Sequence, residues 1–205
     1  MVSKRKNLAI KIALNEKKKT RPNYLLEQYE LDSDTATRFI HNLLPYINNG
    51  VVIDAGCGSG SLTIAAILLG LNYILAVDID REALKLIREN LINFGIHQNV
   101  DIIQADFLKF NVNRRVEGVI MNPPFGTKIR NMDKRFILKA FTLANFICSM
   151  HKEGNDKFFQ RLSSRRGFFL IKLDRLRIVI KNMMPFHRKR KHVIYADQLL
   201  FIKAR

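Results

Sequence analysis

Acidic side chains are scarce in this chain of 205 residues: 18 Asp and Glu stand against 35 Lys and Arg, a formal net charge of +17. Cysteine is scarcer still. Cys57 and Cys148 are too few and too far apart for a disulfide framework or a metal-ligand pattern, so no metal is expected. Reduced thiols in a cytoplasmic protein are the simplest reading. No apolar run approaches the roughly 18 to 20 residues of a membrane span, so no membrane partner is expected. The polar stretch at 19–23 is preceded by no apolar core of a signal peptide. Internal repeats and low-complexity tracts are absent. With 47% apolar residues, the chain has enough material for one α/β domain with a sizeable core and little else.

The missing acids leave a basic excess that favours polyanions, nucleic acid first and anionic membrane surfaces second. A solubilising surface accounts for the same number. The excess is clustered: Lys4-Arg5-Lys6, Lys17-Lys18-Lys19 with Arg21, the group Arg161, Arg165 and Arg166, and the run His187 through His192. Residues 1–22 read as a basic N-terminal arm, mobile or helical over its first fifteen residues. Residues 23–205 read as a single domain.

Within that domain, strand and helix patterns alternate. Strands are expected at 51–54, 73–77, 100–104, 118–121 and 146–150. Helices are expected at 32–47, 61–69, 81–94, 133–145 and 155–164. Asp32 or Ser33 caps the first helix and Asp80 the third, while Gly70 and Gly95 end helices. The close is different: 167–180 and 193–202 are two strands joined by a basic loop too short for a crossover helix, so they pair antiparallel. Alternation predicts a mostly parallel, doubly wound α/β sheet. With the antiparallel C-terminal hairpin it resembles the Rossmann-like, seven-stranded class I fold associated with S-adenosylmethionine (SAM) methyltransferases.

The first strand runs into Asp54-Ala55-Gly56-Cys57-Gly58-Ser59-Gly60. Small residues between a strand and a helix let backbone approach a ligand at the carboxyl edge of the sheet. A dinucleotide fingerprint would need glycine where Ser61 stands. Asp78 ends the second strand, where a carboxylate can accept both hydroxyls of a ribose. Asp106 follows the third, where it can accept from an adenine amino group, with the Phe107 backbone N–H beside it. Singly, each is a tight turn or a helix cap. Together, at three consecutive strand ends, they describe a cofactor site. Cys57 reads as a small filler, since nothing nearby resembles a base to activate it.

The fourth strand ends in Asn122-Pro123-Pro124-Phe125. The Asn122 side-chain oxygen and the Pro123 carbonyl can each accept from an NH₂ on a flat ring or amide. Two such bonds hold the amino group and draw its lone pair out of conjugation. The prolines fix φ and remove N–H donors, leaving acceptors in a rigid array. Phe125 offers a stacking face to an unpaired or flipped base. Against the electrophilic methyl of a sulfonium, such a site works mainly by orientation, with no metal or nucleophilic side chain required.

These strings, with Leu26-Glu27-Gln28-Tyr29, Asp78-Ile79-Asp80, the extension Gly126-Thr127-Lys128 and Met150-His151-Lys152, resemble one family from about Leu25 onward. It is the small ribosomal-RNA adenine-N6 methyltransferase family, methyltransferase-like protein five and its archaeal relatives. The resemblance implies transfer of a methyl group from SAM to one adenine of small-subunit ribosomal RNA. It implies a cofactor site lined by Gln28, Gly56, Ser59, Asp78, Asp106 and Phe107, to which the reading of the glycine turn adds Asp54 and Gly58, and an adenine held by Asn122, Pro123, Pro124 and Phe125. Lys128 and Arg188, Lys189, Arg190 and Lys191 would hold RNA phosphates or form solvated loops. A small zinc-binding methyltransferase activator is the implied partner. The chain departs from the family at Glu30-Leu31, where Pro-Thr is usual and the Thr contacts cofactor, and at Ser59, where some members carry Cys. His151 matches a family position but reads as structural. The alternatives are guanine-N2 methylation of ribosomal RNA, glutamine methylation in proteins, whose enzymes typically carry Tyr in place of Phe125, and a non-catalytic RNA-binding subunit. Intact Asn122, Asp54 and Asp78 argue against the last.

Overall fold

Val51–Ala55 (β1) is the strand around which the sheet is wound. Four of its five residues are buried, the pattern of a strand covered on both faces. The computed structural model describes residues 10–11, 13–18, 31–48, 50–124, 130–181 and 191–204. Tyr73–Asp78 (β2) pairs parallel with β1 on one side, and Val116–Met121 (β4) on the other. Val100–Gln104 (β3) extends the sheet beyond β2, and Ala144–Lys152 (β5) extends it beyond β4, both parallel. Phe168–Lys181 (β6) and Lys191–Lys203 (β7) close it, with β7 antiparallel to both β5 and β6. The order is β3-β2-β1-β4-β5-β7-β6. The expected doubly wound sheet with an antiparallel C-terminal hairpin is therefore what forms.

Helices cover both faces. Ser33–Leu43 (α1) begins at the expected Asp32 cap, whose Oδ1 accepts from the Thr35 N–H at 2.9 Å. It is shorter than the sequence suggests, because Pro45 falls where the chain tightens into a 3₁₀ turn, Leu44–Tyr46. Ser61–Leu69 (α2) is almost wholly apolar and is packed against α1 in one core cluster. Arg81–Asn93 (α3) is amphipathic, with Ala83, Leu84, Ile87 and Leu91 turned inward and the Asp80 side chain accepting from the Glu82 and Ala83 N–H groups. Met132–Leu143 (α4) and Asp156–Ser164 (α5) belong with the opposite core cluster, which contains Phe141, Phe159 and Phe201.

A further boundary differs from expectation. Helix α4 does not run on to Asn145: it stops at Leu143, and β5 starts at Ala144 with no loop between them. Arg115 makes this abrupt exit stable, because its guanidinium donates to the carbonyls of Phe141 at 3.2 Å and Ala144 at 2.7 Å, carbonyls that the ended helix cannot satisfy.

The N-terminal basic stretch contributes to the core. Residues 10, 11 and 13–16 are helical. Ile10 and Leu14 are buried in the same cluster as Phe39, Ile64 and Ile87. An arm read from its charge alone conceals these two apolar anchors.

Candidate active site

Three strand ends converge on one edge of the sheet, and backbone hydrogen bonds lock them in register. The Gly56 N–H donates to the Val77 carbonyl at 2.8 Å, joining the end of β1 to that of β2. The Ala105 N–H donates to the Asp78 carbonyl at 2.9 Å, joining the end of β2 to the start of the Asp106 loop. On the other side, Ala55 is the register partner of Met121, so Asn122 leaves β4 beside the glycine turn. This is the switch point where ligands bind in open α/β sheets.

The glycine turn is built for close approach. Gly58 has φ +54, and a side chain there would meet nothing within 4 Å, so the space above it is open. Its N–H donates to Asp78 Oδ2 at 2.8 Å. Gly60 also has positive φ, at +93, but for a packing reason: a Cβ there would stand 2.7 Å from Ile87 Cγ1. Gly60→Ala should therefore destabilise the fold by roughly 2–4 kcal/mol, combining overpacking with left-handed strain. Denaturant unfolding measures this, and a loss under about 0.5 kcal/mol, the range of an ordinary surface substitution, would contradict it.

Two acids lie under this turn. Asp54 is almost fully buried. Its Oδ2 accepts from the Thr63 hydroxyl at 2.6 Å, and its buried Oδ1 has no hydrogen-bond partner. Burial pushes its carboxyl up to about 7, with the charge of Asp78 adding to the rise and the Thr63 hydroxyl opposing it. Asp78 is also raised, chiefly by burial, against the pull of backbone N–H groups. Its Oδ1 accepts from the Asp80 N–H at 2.9 Å. The same burial, with both carboxylates nearby, holds the Cys57 thiol well above its ordinary range, so Cys57 is no nucleophile.

Asp106 uses Oδ1 to accept from the Leu108 N–H at 2.9 Å, and Phe107 is buried with its ring centroid 5.1 Å from that of Phe136. Beyond β4, Pro123 is buried and Asn122 and Pro124 are half-buried. The Asn122 side-chain oxygen is buried without a hydrogen-bond partner. An unsatisfied buried acceptor costs about 1–3 kcal/mol, so the position of Asn122 at this strand end calls for an explanation.

The structure thus brings together Asp54, Gly56, Gly58, Ser59, Asp78, Asp106, Phe107, Asn122, Pro123 and Pro124 at one sheet edge. Gln28, Phe125, Lys128, Arg188, Lys189 and Arg190 lie outside the described residues, as does the side chain of Lys191. Sequence reading missed Thr63, which steadies Asp54, and Asn90, whose Nδ2 donates to the Ser59 carbonyl at 3.1 Å. The signal for Asn90 was available: it is a polar residue on the apolar face of α3. His151 is fully buried with its ring centroid 3.8 Å from that of Phe159. Burial lowers its pKa, keeping it neutral.

Among the described residues no group of His, Cys, Asp and Glu side chains is arranged to hold a metal ion, and no helix is long and apolar enough to cross a membrane. Residues 30–145 match the model of the methyltransferase small domain family. The chain is 32% identical to the zebrafish (Danio rerio) rRNA N(6)-adenosine-methyltransferase METTL5 over 88% of its own length and 90% of the relative's. It is 33% identical to Drosophila melanogaster Mettl5, which carries the same description, over 86% of each chain. The crystal structure of protein PH1948 from Pyrococcus horikoshii superposes with a TM-score of 0.83 at 33% identity, covering 97% of this chain and 99% of that one.

Proposed function

Because this chain belongs to the methyltransferase small domain family, we propose that it is a SAM-dependent adenine-N6 methyltransferase acting on a single adenosine of small-subunit ribosomal RNA in the cytoplasm. The observation that carries this reading is the buried, unpartnered Asn122 oxygen beside the glycine turn. The names of the METTL5 relatives support adenine in ribosomal RNA as the acceptor.

The residues present fit the cofactor. Gly58 leaves open space for it, Asp78 would offer a carboxylate to ribose hydroxyls, Asp106 and the Phe107 backbone N–H would hold the adenine ring, and Asp54 would supply negative charge beneath the turn. When bound, SAM supplies an electrophilic methyl group on its sulfonium. Asn122 and the Pro123 carbonyl accept from the target amino group, hold its nitrogen in line and withdraw its lone pair from the ring. Pro124 keeps the step rigid. Phe125 stacks on the base, and Lys128 with the run Arg188, Lys189, Arg190 and Lys191 engages phosphates. A small zinc-binding methyltransferase activator completes the reading as partner, on the family resemblance, and co-purification from a co-expressing host is its test.

Asp54 makes cofactor affinity dependent on pH. SAM is cationic at its sulfonium and ammonium, so it favours the ionised carboxylate. Below about 7 Asp54 holds a proton that binding must expel. Affinity should rise with pH between 6 and 8, by up to about tenfold per unit below the apparent pKa. Titration calorimetry in buffers of different ionisation enthalpy measures both the affinity and the released proton. A flat profile with no proton release would contradict it.

Purified protein, incubated with labelled SAM and with ribosomal RNA stripped of protein, should place label in the RNA. RNA that stayed unlabelled, with label taken up only when ribosomal protein is supplied in its place, would overturn the reading. Transfer should also weaken steeply with salt, as phosphate contacts require.

A further inference from the structure

The turn that carries Gly58 and Ser59 is fixed from outside by a segment the reaction does not otherwise use. Ser59 lies between two glycines in left-handed conformations, Gly58 and Gly60, a backbone with little steric preference of its own. Its hydroxyl and its carbonyl are nevertheless both held. Its hydroxyl accepts from Lys17 Nζ at 2.7 Å, and its carbonyl accepts from Asn90 Nδ2 at 3.1 Å. Lys17 is only 5% exposed and Asn90 only 1%.

Asn90 also grips the N-terminal segment. Its Oδ1 accepts from the Lys18 N–H at 2.8 Å, and its Nδ2 donates to the Lys18 carbonyl at 3.0 Å, the two-bond pairing of a strand made by one amide side chain. Lys18 Nζ pairs with Glu89 at 2.7 Å on the surface above. Leu14 and Ile10, about one and two turns earlier, are anchored in the core. An apolar residue would serve the packing of α3 at position 90. A buried amide is tolerated there because its donors and acceptor are all used, and all are spent joining residue 18 to residue 59.

We propose that Lys17, Lys18 and Asn90 form a clasp that positions the glycine turn for cofactor, with Asn90 the positioning residue. The N-terminal segment is then a working part of the cofactor site. The inference rests on the reading of the turn as a SAM site. Fixing the turn before the ligand arrives removes an ordering cost from binding, so the clasp acts on affinity and leaves the transfer step alone.

The test uses the 205-residue chain carrying Asn90→Leu, which keeps the branched shape of the side chain while deleting its three bonds, and separately Lys17→Met, which keeps the apolar stem. S-adenosylhomocysteine is the calorimetric probe. Asn90→Leu should raise its dissociation constant and the KM for SAM by about tenfold, and Lys17→Met by about threefold, the scale of one buried hydrogen bond. The KM for RNA, and kcat at saturating SAM, should move less than about twofold. Should Asn90→Leu fail to fold, Lys17→Met carries the same test. Unchanged probe affinity in the folded variants would overturn the clasp, as would a fall in kcat with KM for SAM unmoved. A wild-type protein that bound no S-adenosylhomocysteine would overturn the reading of the turn, and the clasp with it.

Discussion

Asn122→Ala should reduce kcat for methyl transfer by about a thousandfold or more while leaving the dissociation constant for SAM within about threefold of wild type. The split follows from where Asn122 stands. It is the first residue beyond β4, set beside the cofactor turn by the Ala55–Met121 register, yet no described residue of the turn bonds its side chain. Its buried oxygen has no hydrogen-bond partner among the described residues. Removing it takes away the acceptor that holds the target nitrogen and draws down its lone pair, and leaves the β1 and β2 strand ends untouched. Calorimetry with the variant separates the two quantities. A folded Asn122→Ala protein that lost SAM binding would place Asn122 in the cofactor site instead.

Asp78→Ala should produce the complementary pattern, a loss of SAM affinity of roughly a hundredfold with RNA affinity preserved. Two effects add. The carboxylate offered to ribose hydroxyls disappears, and so do the bonds by which Asp78 fixes the turn, to the Gly58 N–H at 2.8 Å and the Asp80 N–H at 2.9 Å. Asp78→Asn retains one acceptor oxygen and should fall between wild type and alanine. Equal SAM affinity in all three proteins would show that the end of β2 does not contribute to the site.

Much of this site was legible because its residues occupy strand ends, where sequence pattern and chemistry coincide. The strand before Gly56, the acid after each of the next two strands and the prolines after β4 could be placed without coordinates, and the fold put them on one edge. What escaped was long-range. Thr63 bonds Asp54 from inside a helix that reads as uniformly apolar. Asn90 joins residues 18 and 59, a pairing no local pattern carries. Ile10 and Leu14 sit among so many lysines that their burial was masked by charge. The end of α4 was misplaced by two residues because Arg115, from the connection just before β4, satisfies the carbonyls that would otherwise demand a loop.

The most direct test of the central claim is the identity of the methylated nucleoside. After transfer from labelled SAM to ribosomal RNA, with and without a zinc-binding activator, the RNA is digested to nucleosides and separated. The account predicts that the label migrates as N6-methyladenosine. Label in N2-methylguanosine, or in no nucleoside even with the activator present, would contradict it.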